Sequence, residues 1–206
     1  MAKDEQRGKL ILILGGARSG KSAFAEKIVA KLGTKVTYIA TAQALDEEMT
    51  QRIKLHQDRR PANWDTLEET HWVAQRLREI NTDVVLVDCL TILVSNLLLD
   101  VNFPLPDTNE SSEAKERAIL EEVKILATSA RNCPAKVVIV SNEVGQGLVP
   151  TYPLGRIYRD VAGWANQIIA EEADEVYLVI AGIPVELKEL GLKAAAKFDG
   201  GGYCGD

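Results

Sequence analysis

The sequence predicts an α/β fold, a mostly parallel sheet with helices on both faces, and three observations carry that prediction. Short apolar runs rich in β-branched residues recur along the chain. Longer stretches with helical periodicity alternate with them, and a glycine-rich turn joins the first run to the first such stretch. Five runs read as strands: Leu10 to Leu14, Val36 to Ala40, Val84 to Val87, Val137 to Val140 and Val176 to Ile180. They are too short for helices and almost wholly apolar, the pattern of strands covered on both faces. Between them, Lys21 to Leu32, Leu45 to Arg60, the segment around Glu113 to Arg131, and Arg156 to Glu172 repeat apolar residues at the helical period. Consecutive parallel strands need such crossovers, so strand and helix alternation implies a parallel sheet.

The chain has 206 residues, 46% apolar and 26% charged, which suits one globular domain with a proper core. We expect that domain to span residues 1–188 and residues 189–206 to form a flexible C-terminal tail, since the end of the chain runs into Asp199, Gly200, Gly201 and Gly202. Asp100 to Ser112, with Pro104, Pro106 and a polar TNESS run, reads as a surface loop. The net charge of -6, with no dense Lys/Arg run, excludes the electrostatic footprint of a nucleic-acid binder. Cys89, Cys133 and Cys204 are odd in number and widely spaced, which argues against a disulfide framework and a zinc site. The charged N-terminus leads into an apolar run far too short for a signal or a membrane span, so a cytoplasmic home is expected.

The glycine-rich turn carries the strongest chemical signal. Gly15, Gly16, Ala17, Arg18, Ser19, Gly20, Lys21 and Ser22 match GxxxxGK[ST] in full, directly after one apolar run and before a helical stretch. Glycines let backbone N–H groups turn inward around phosphates, and the following helix N-terminus adds positive potential. Lys21 would reach the β- and γ-phosphates and the Ser22 hydroxyl can ligate Mg²⁺. The motif and the alternation of strands and helices together predict a P-loop NTPase-type, RecA-like sheet. An acidic residue ending a later strand is the expected second partner for Mg²⁺, and Asp88, after Val84 to Val87, occupies that place. A strand-ending aspartate is also common without a metal.

Histidine occurs twice. His56 lies within the helical stretch that Pro61 should end near Arg60, with Arg52 and Arg60 four residues away on either side and Arg59 three beyond. Such a face can hold phosphate oxygens on guanidinium groups while an imidazole nitrogen forms a phosphoramidate. From spacing alone it reads more readily as a solvated basic helix end with an incidental histidine. His71, beside Trp72, has no comparable surroundings and reads as a surface or packing residue.

Several segments, in order, resemble the bifunctional adenosylcobinamide kinase and adenosylcobinamide-phosphate guanylyltransferase family of cobalamin biosynthesis. They are GGARSGKS at Gly15 to Ser22, YIATA at Tyr38 to Ala42, LDEEM at Leu45 to Met49, and RIKLHQDRRP at Arg52 to Pro61 with Trp64 and Glu68. DCLT at Asp88 to Thr91 follows with Asn96, then SNEVGQGLVP at Ser141 to Pro150, RIYRDVAGWANQ at Arg156 to Gln167 and ADEVYLVIAGIP at Ala173 to Pro184. The likeness runs from about Leu10 to Lys188, and SNEVG followed by RxxRDxxGxxNQ is far more specific than any phosphate loop.

The resemblance implies two reactions. The aminopropanol hydroxyl of adenosylcobinamide is phosphorylated by ATP or GTP, and GMP from GTP is then transferred to adenosylcobinamide phosphate through a GMP-histidine, giving adenosylcobinamide-GDP. It places the covalent histidine at His56. It places nucleotide contacts at Gly15 to Ser22, at Ala40, Thr41 and Ala42, at Gln57, Asp58, Arg59 and Arg60, at Glu68 and at Asp88. It also implies a homo-oligomer. Two alternatives stay open from the residues themselves: a kinase using Lys21 and Asp88 with His56 as bystander, and a nucleotide-gated switch with no small-molecule product.

Overall fold

A computed structural model of the chain describes residues 8–43, 47, 51, 54, 61–103 and 112–195. Seven strands and six helices are defined among them. The strands are β1 (Leu10–Gly15), β2 (Val36–Ala40), β3 (Asp65–Glu68), β4 (Val84–Asp88), β5 (Lys136–Asn142), β6 (Glu175–Ile180) and β7 (Ile183–Glu186). The helices are α1 (Lys21–Leu32), α2 (Val73–Leu77), α3 (Leu90–Leu99), α4 (Ser112–Asn132), α5 (Pro153–Glu172) and α6 (Leu187–Ala195).

All seven strands form one sheet in the order β3-β2-β4-β5-β1-β6-β7, parallel throughout except for the β6–β7 pair. The alternation along β1 shows how the faces are covered. Leu10, Leu12 and Leu14 enter one apolar cluster with residues of α2, α3, α4 and α5, whereas Ile11 and Ile13 enter a second with Ala25 and Val29 of α1. Helices therefore lie on both faces, as the unbroken apolar runs require. Each fully buried Leu or Ile contributes roughly 1.5–3 kcal/mol of transfer free energy, which makes this double-sided strand the axis of the core.

The strand order places β5 between β1 and β4, so the carboxyl ends of β1, β5, β4, β2 and β3 open in succession along one edge. Ligands bind at such edges in open α/β sheets, because loops there are free to differ while strands hold their bases.

The structure adds elements that the apolar pattern did not disclose. In β3, Asp65, Thr66 and Glu68 are polar and exposed, as suits an edge strand, so no apolar run marks it. Helix α3 begins two residues after β4 and is apolar on nearly every side, burying Leu90, Leu93, Val94, Leu97 and Leu98, so its periodicity is masked. Strand β7 returns antiparallel because Ala181 and Gly182, at φ 51° and 81°, make a two-residue hairpin turn with both residues left-handed.

The expected tail is helical over its first residues. The Glu186 carboxylate accepts the backbone N–H groups of Lys188 and Glu189, and Lys193 pairs with Glu189 one turn on, which starts and supports α6 through Ala195. Residues 196–206 lie outside the described set, as do 104–111 of the predicted loop and most of the stretch Leu45 to Arg60. Among the described residues no helix is long and apolar enough to cross a membrane.

Candidate active site

The loop after β1 closes on itself through two residues with left-handed backbone. Arg18 at φ 58° and Gly20 at φ 95° put two residues in the left-handed region, turning successive amides toward the loop interior. The Ser19 amide donates to the Gly16 carbonyl at 3.3 Å, and the Lys21 ammonium donates to the same carbonyl at 3.1 Å, so the loop closes on itself with Lys21 across its mouth. Helix α1 has no acidic residue in its first turn; its Lys21 amide donates to Ser19 Oγ at 3.4 Å, and its dipole favours an anion at this end. Burial lowers the pKa of Lys21, and the neighbouring Cys89 and Asp88 oppose that shift.

Two glycines are required by space. A Cβ on Gly15 would stand 2.5 Å from Ser19 Oγ and 2.8 Å from the Val179 carbonyl oxygen, and one on Gly20 would stand 3.1 Å from Gly182 Cα. Gly182 also donates its amide to the Ser19 carbonyl at 2.8 Å. The β6–β7 turn thus buttresses the phosphate loop, a role no sequence motif announced.

Across the strand ends, the sheet aligns three residues expected to serve the nucleotide. Ala40 is paired with Glu68 on one side and Asp88 on the other, so these three form one row across β3, β2 and β4. The Asp88 carboxylate accepts the Tyr38 hydroxyl through Oδ2 at 2.6 Å. Beyond it, the Asp88–Cys89 peptide is cis. Thr41 is wholly buried, and its hydroxyl donates to the Cys89 carbonyl at 2.9 Å and accepts the Cys89 amide at 2.7 Å. Its own amide donates to the Asp88 carbonyl at 3.1 Å. At a position expected to contact the nucleotide, the Thr41 hydroxyl is engaged within the protein and braces the backbone around Asp88. The Cys89 thiol is pushed up to about 11, first by burial and then by Asp88, so it is a neutral packing group.

A second polar network ties β5 to the helices. The Asn142 side-chain amide donates to Thr91 Oγ1 at 2.9 Å, the Tyr158 hydroxyl donates to the Thr91 carbonyl at 3.4 Å, and the Asn166 amide donates to the Asn142 carbonyl at 3.1 Å. The buried Ser141 hydroxyl donates to Asn166 Oδ1 at 2.6 Å. Glu143 donates its amide to the Gly15 carbonyl at 3.2 Å, which joins the end of β5 to the first residue of the phosphate loop. Arg156 and Asp160 lie one helical turn apart, but Asp160 pairs with Arg159 instead. Arg156 donates to the Pro150 and Thr151 carbonyls and holds the loop before α5.

The structure thus gathers Gly15 to Ser22, Ala40 to Ala42, Glu68 and Asp88 along one sheet edge. His56, Gln57, Asp58, Arg59 and Arg60, together with Arg52, lie outside the described residues. His71 is a packing residue: its Nδ1 lies 2.8 Å from Thr70 Oγ1 and its Nε2 lies 3.5 Å from Asp100 Oδ2. Tyr38, Thr91, Asn142 and Asn166 fall within the family-like segments, but their supporting roles were not assigned from the sequence, and Glu69 carried no signal of its own.

A parallel sheet with this loop and an aspartate two strands away defines a P-loop nucleotide-binding protein of the α/β class. The family model described as cobinamide kinase / cobinamide phosphate guanyltransferase matches residues 11–187. The chain belongs to that family. It is 46% identical over 192 residues to the bifunctional adenosylcobalamin biosynthesis protein CobU of Salmonella typhimurium, covering 87% of this chain and 99% of the relative. The protein of the same name from Escherichia coli is 44% identical over 181 residues, with 87% and 99% covered. The bifunctional adenosylcobalamin biosynthesis protein CobP of Pseudomonas aeruginosa is 46% identical over 179 residues, with 86% and 96% covered.

Proposed function

We propose that this protein phosphorylates adenosylcobinamide with ATP or GTP and then guanylylates adenosylcobinamide phosphate with GTP through a covalent GMP on His56. The observation that carries the reading is the convergence, on one sheet edge, of a closed phosphate loop with Lys21 at its mouth and the row Glu68, Ala40 and Asp88. In the first reaction the substrate hydroxyl attacks the γ-phosphorus, the bond from that phosphorus to the β-phosphate oxygen breaks, and the nucleoside diphosphate leaves. In the second, a His56 ring nitrogen attacks the α-phosphorus of GTP and pyrophosphate leaves. The phosphate of adenosylcobinamide phosphate then takes the GMP and frees the imidazole.

Both reactions move a phosphorus centre between oxygen or nitrogen nucleophiles, so both need positioning and charge stabilisation more than bond chemistry from the protein. Lys21 and the first amides of α1 meet the β- and γ-phosphate charge, and Gln57, Asp58, Arg59 and Arg60 are assigned to the nucleotide beside His56. The Ser22 hydroxyl and the Asp88 carboxylate are hard oxygen donors that suit Mg²⁺, and they are the residues that would hold it. When bound, that ion would neutralise developing charge on the phosphates. The free, buried thiols of Cys89 and Cys133 agree with a reduced cytosol, and a homo-oligomer belongs to the same proposal.

The test is covalent labelling. With GTP labelled at the α-phosphate and Mg²⁺, the protein is expected to retain an acid-labile label that His56→Ala loses. Label surviving in His56→Ala removes the nucleophile assignment, and γ-transfer without any labelled protein leaves a kinase alone.

A further inference from the structure

The sheet sets a tyrosine against the aspartate that ends β4. Tyr38 on β2 lies opposite Leu86 of β4, and Ala40 lies opposite Asp88, so Tyr38 and Asp88 are diagonal neighbours on adjacent strands. Side chains alternate along a strand, and Tyr38, Ala40, Val84 and Leu86 all enter the apolar cluster that contains Ala25 and Val29 of α1. Asp88 follows Leu86 by two residues and falls on that same face, beneath the helix whose first residues are Lys21 and Ser22. Lys21 and Asp88 are near enough for their charges to act on each other.

The tyrosine is held still by the core. It is 3% exposed and shares its cluster with Ile11, Ile13 and Val29. Its hydroxyl donates to Asp88 Oδ2 at 2.6 Å, the length of a charge-assisted bond. A donor on a ring that cannot move fixes the carboxylate in one orientation, and it engages one oxygen of a group that has two. Partners of this kind orient the ligands of metal ions in proteins.

We propose that Tyr38 is a positioning residue for the divalent cation, holding the Asp88 carboxylate by Oδ2 and keeping Oδ1 for the ion. The inference rests on the reading of Asp88 and Ser22 as the residues that would hold Mg²⁺. It ties Tyr38 to the metal and not to one of the two reactions, so both share its effect. A tyrosine that only filled the core would leave metal affinity untouched on replacement by phenylalanine, which keeps the ring.

The test uses Mn²⁺, whose free form gives an electron paramagnetic resonance signal that binding quenches, on the full-length protein with saturating GDP, which has no γ-phosphate to transfer. Tyr38→Phe is expected to weaken Mn²⁺ binding by about tenfold or more, as losing the partner of a metal ligand does. Asp88→Asn is expected to weaken it at least as much. Adding Tyr38→Phe to Asp88→Asn should then cost no more than about twofold further, because the hydroxyl acts through that carboxylate. Cobinamide phosphorylation gives a second readout: the Mg²⁺ concentration at half-maximal rate should rise in Tyr38→Phe, whereas a loss of folded protein would lower the rate at every Mg²⁺ concentration without moving that midpoint. Unchanged Mn²⁺ affinity in Tyr38→Phe beside a loss in Asp88→Asn, or a full further loss when the two are combined, overturns the assignment of Tyr38. Unchanged affinity in Asp88→Asn removes Asp88 from the ion's ligands, and the role of Tyr38 with it.

Discussion

Replacing Thr41 by valine isolates one hydroxyl at the centre of the site. The side chain is 0% exposed, and valine reproduces its shape, so no cavity opens. What is lost is the pair of hydrogen bonds to Cys89. The Cys89 carbonyl keeps a second partner, the Leu93 amide at 3.1 Å, so it loses a net bond of about 0.5–1.5 kcal/mol. The Cys89 amide has only the Thr41 hydroxyl among the bonds described, and leaving it orphaned costs about 1–3 kcal/mol. Together the substitution should destabilise the fold by about 2–4 kcal/mol, a lowering of the midpoint by roughly 5–9 °C at the entropy of unfolding usual for this length. Thr41→Ser removes a methyl group and keeps the hydroxyl, and should cost only about 1 kcal/mol. Denaturant unfolding of the two variants decides the matter: valine, nearer in volume, must be the worse replacement. A Thr41→Val protein as stable as Thr41→Ser would show that the brace on Cys89 contributes nothing.

Three further outcomes follow from the same geometry. Gly20→Ala places a Cβ 3.1 Å from Gly182 Cα on a backbone at φ 95°, so nucleotide binding measured by calorimetry should weaken by at least tenfold, about 1.4 kcal/mol, and unchanged affinity would refute the buttress. Glu69 is desolvated, which alone would raise its pKa, yet the amides of Trp72 and His71 and the Arg76 guanidinium hold the carboxyl below its ordinary value. A depressed pKa stabilises the fold above the unfolded value of 4.5 and less as pH falls through the folded one, so the stability gap between wild type and Glu69→Gln should narrow on acidification below 4.5 and stay constant above pH 6. Ser141→Ala leaves Asn166 Oδ1 without its 2.6 Å donor in a buried place, and should cost about 1–3 kcal/mol in urea unfolding.

The sequence made the inner sheet legible because burial on both faces leaves a strand almost wholly apolar. β2 and α1 begin and end where Val36 to Ala40 and Lys21 to Leu32 predict. Legibility failed where that logic does not hold. The edge strand β3 is polar, α3 is apolar on nearly every side, and β7 depends on the left-handed conformations of Ala181 and Gly182 rather than on apolar spacing. The phosphate loop was readable because its chemistry demands a fixed order of residue types. The polar side chains that hold the site together were not. Asn96, Thr91 and Asn142 satisfy particular backbone groups that only the tertiary fold brings near. Family likeness, by contrast, named positions such as Thr41 without saying that its hydroxyl would be spent inside the protein.

The claim on which both reactions depend is that the loop from Gly15 to Ser22 holds a triphosphate. Titration calorimetry with Mg²⁺ and GTP or ATP, on the unaltered protein and on Lys21→Ala, measures it directly. A saturable heat of binding that Lys21→Ala weakens by about tenfold or more, as expected for removing a cation from the phosphates, is the predicted result. No heat from the unaltered protein, or equal affinity in Lys21→Ala, would contradict it.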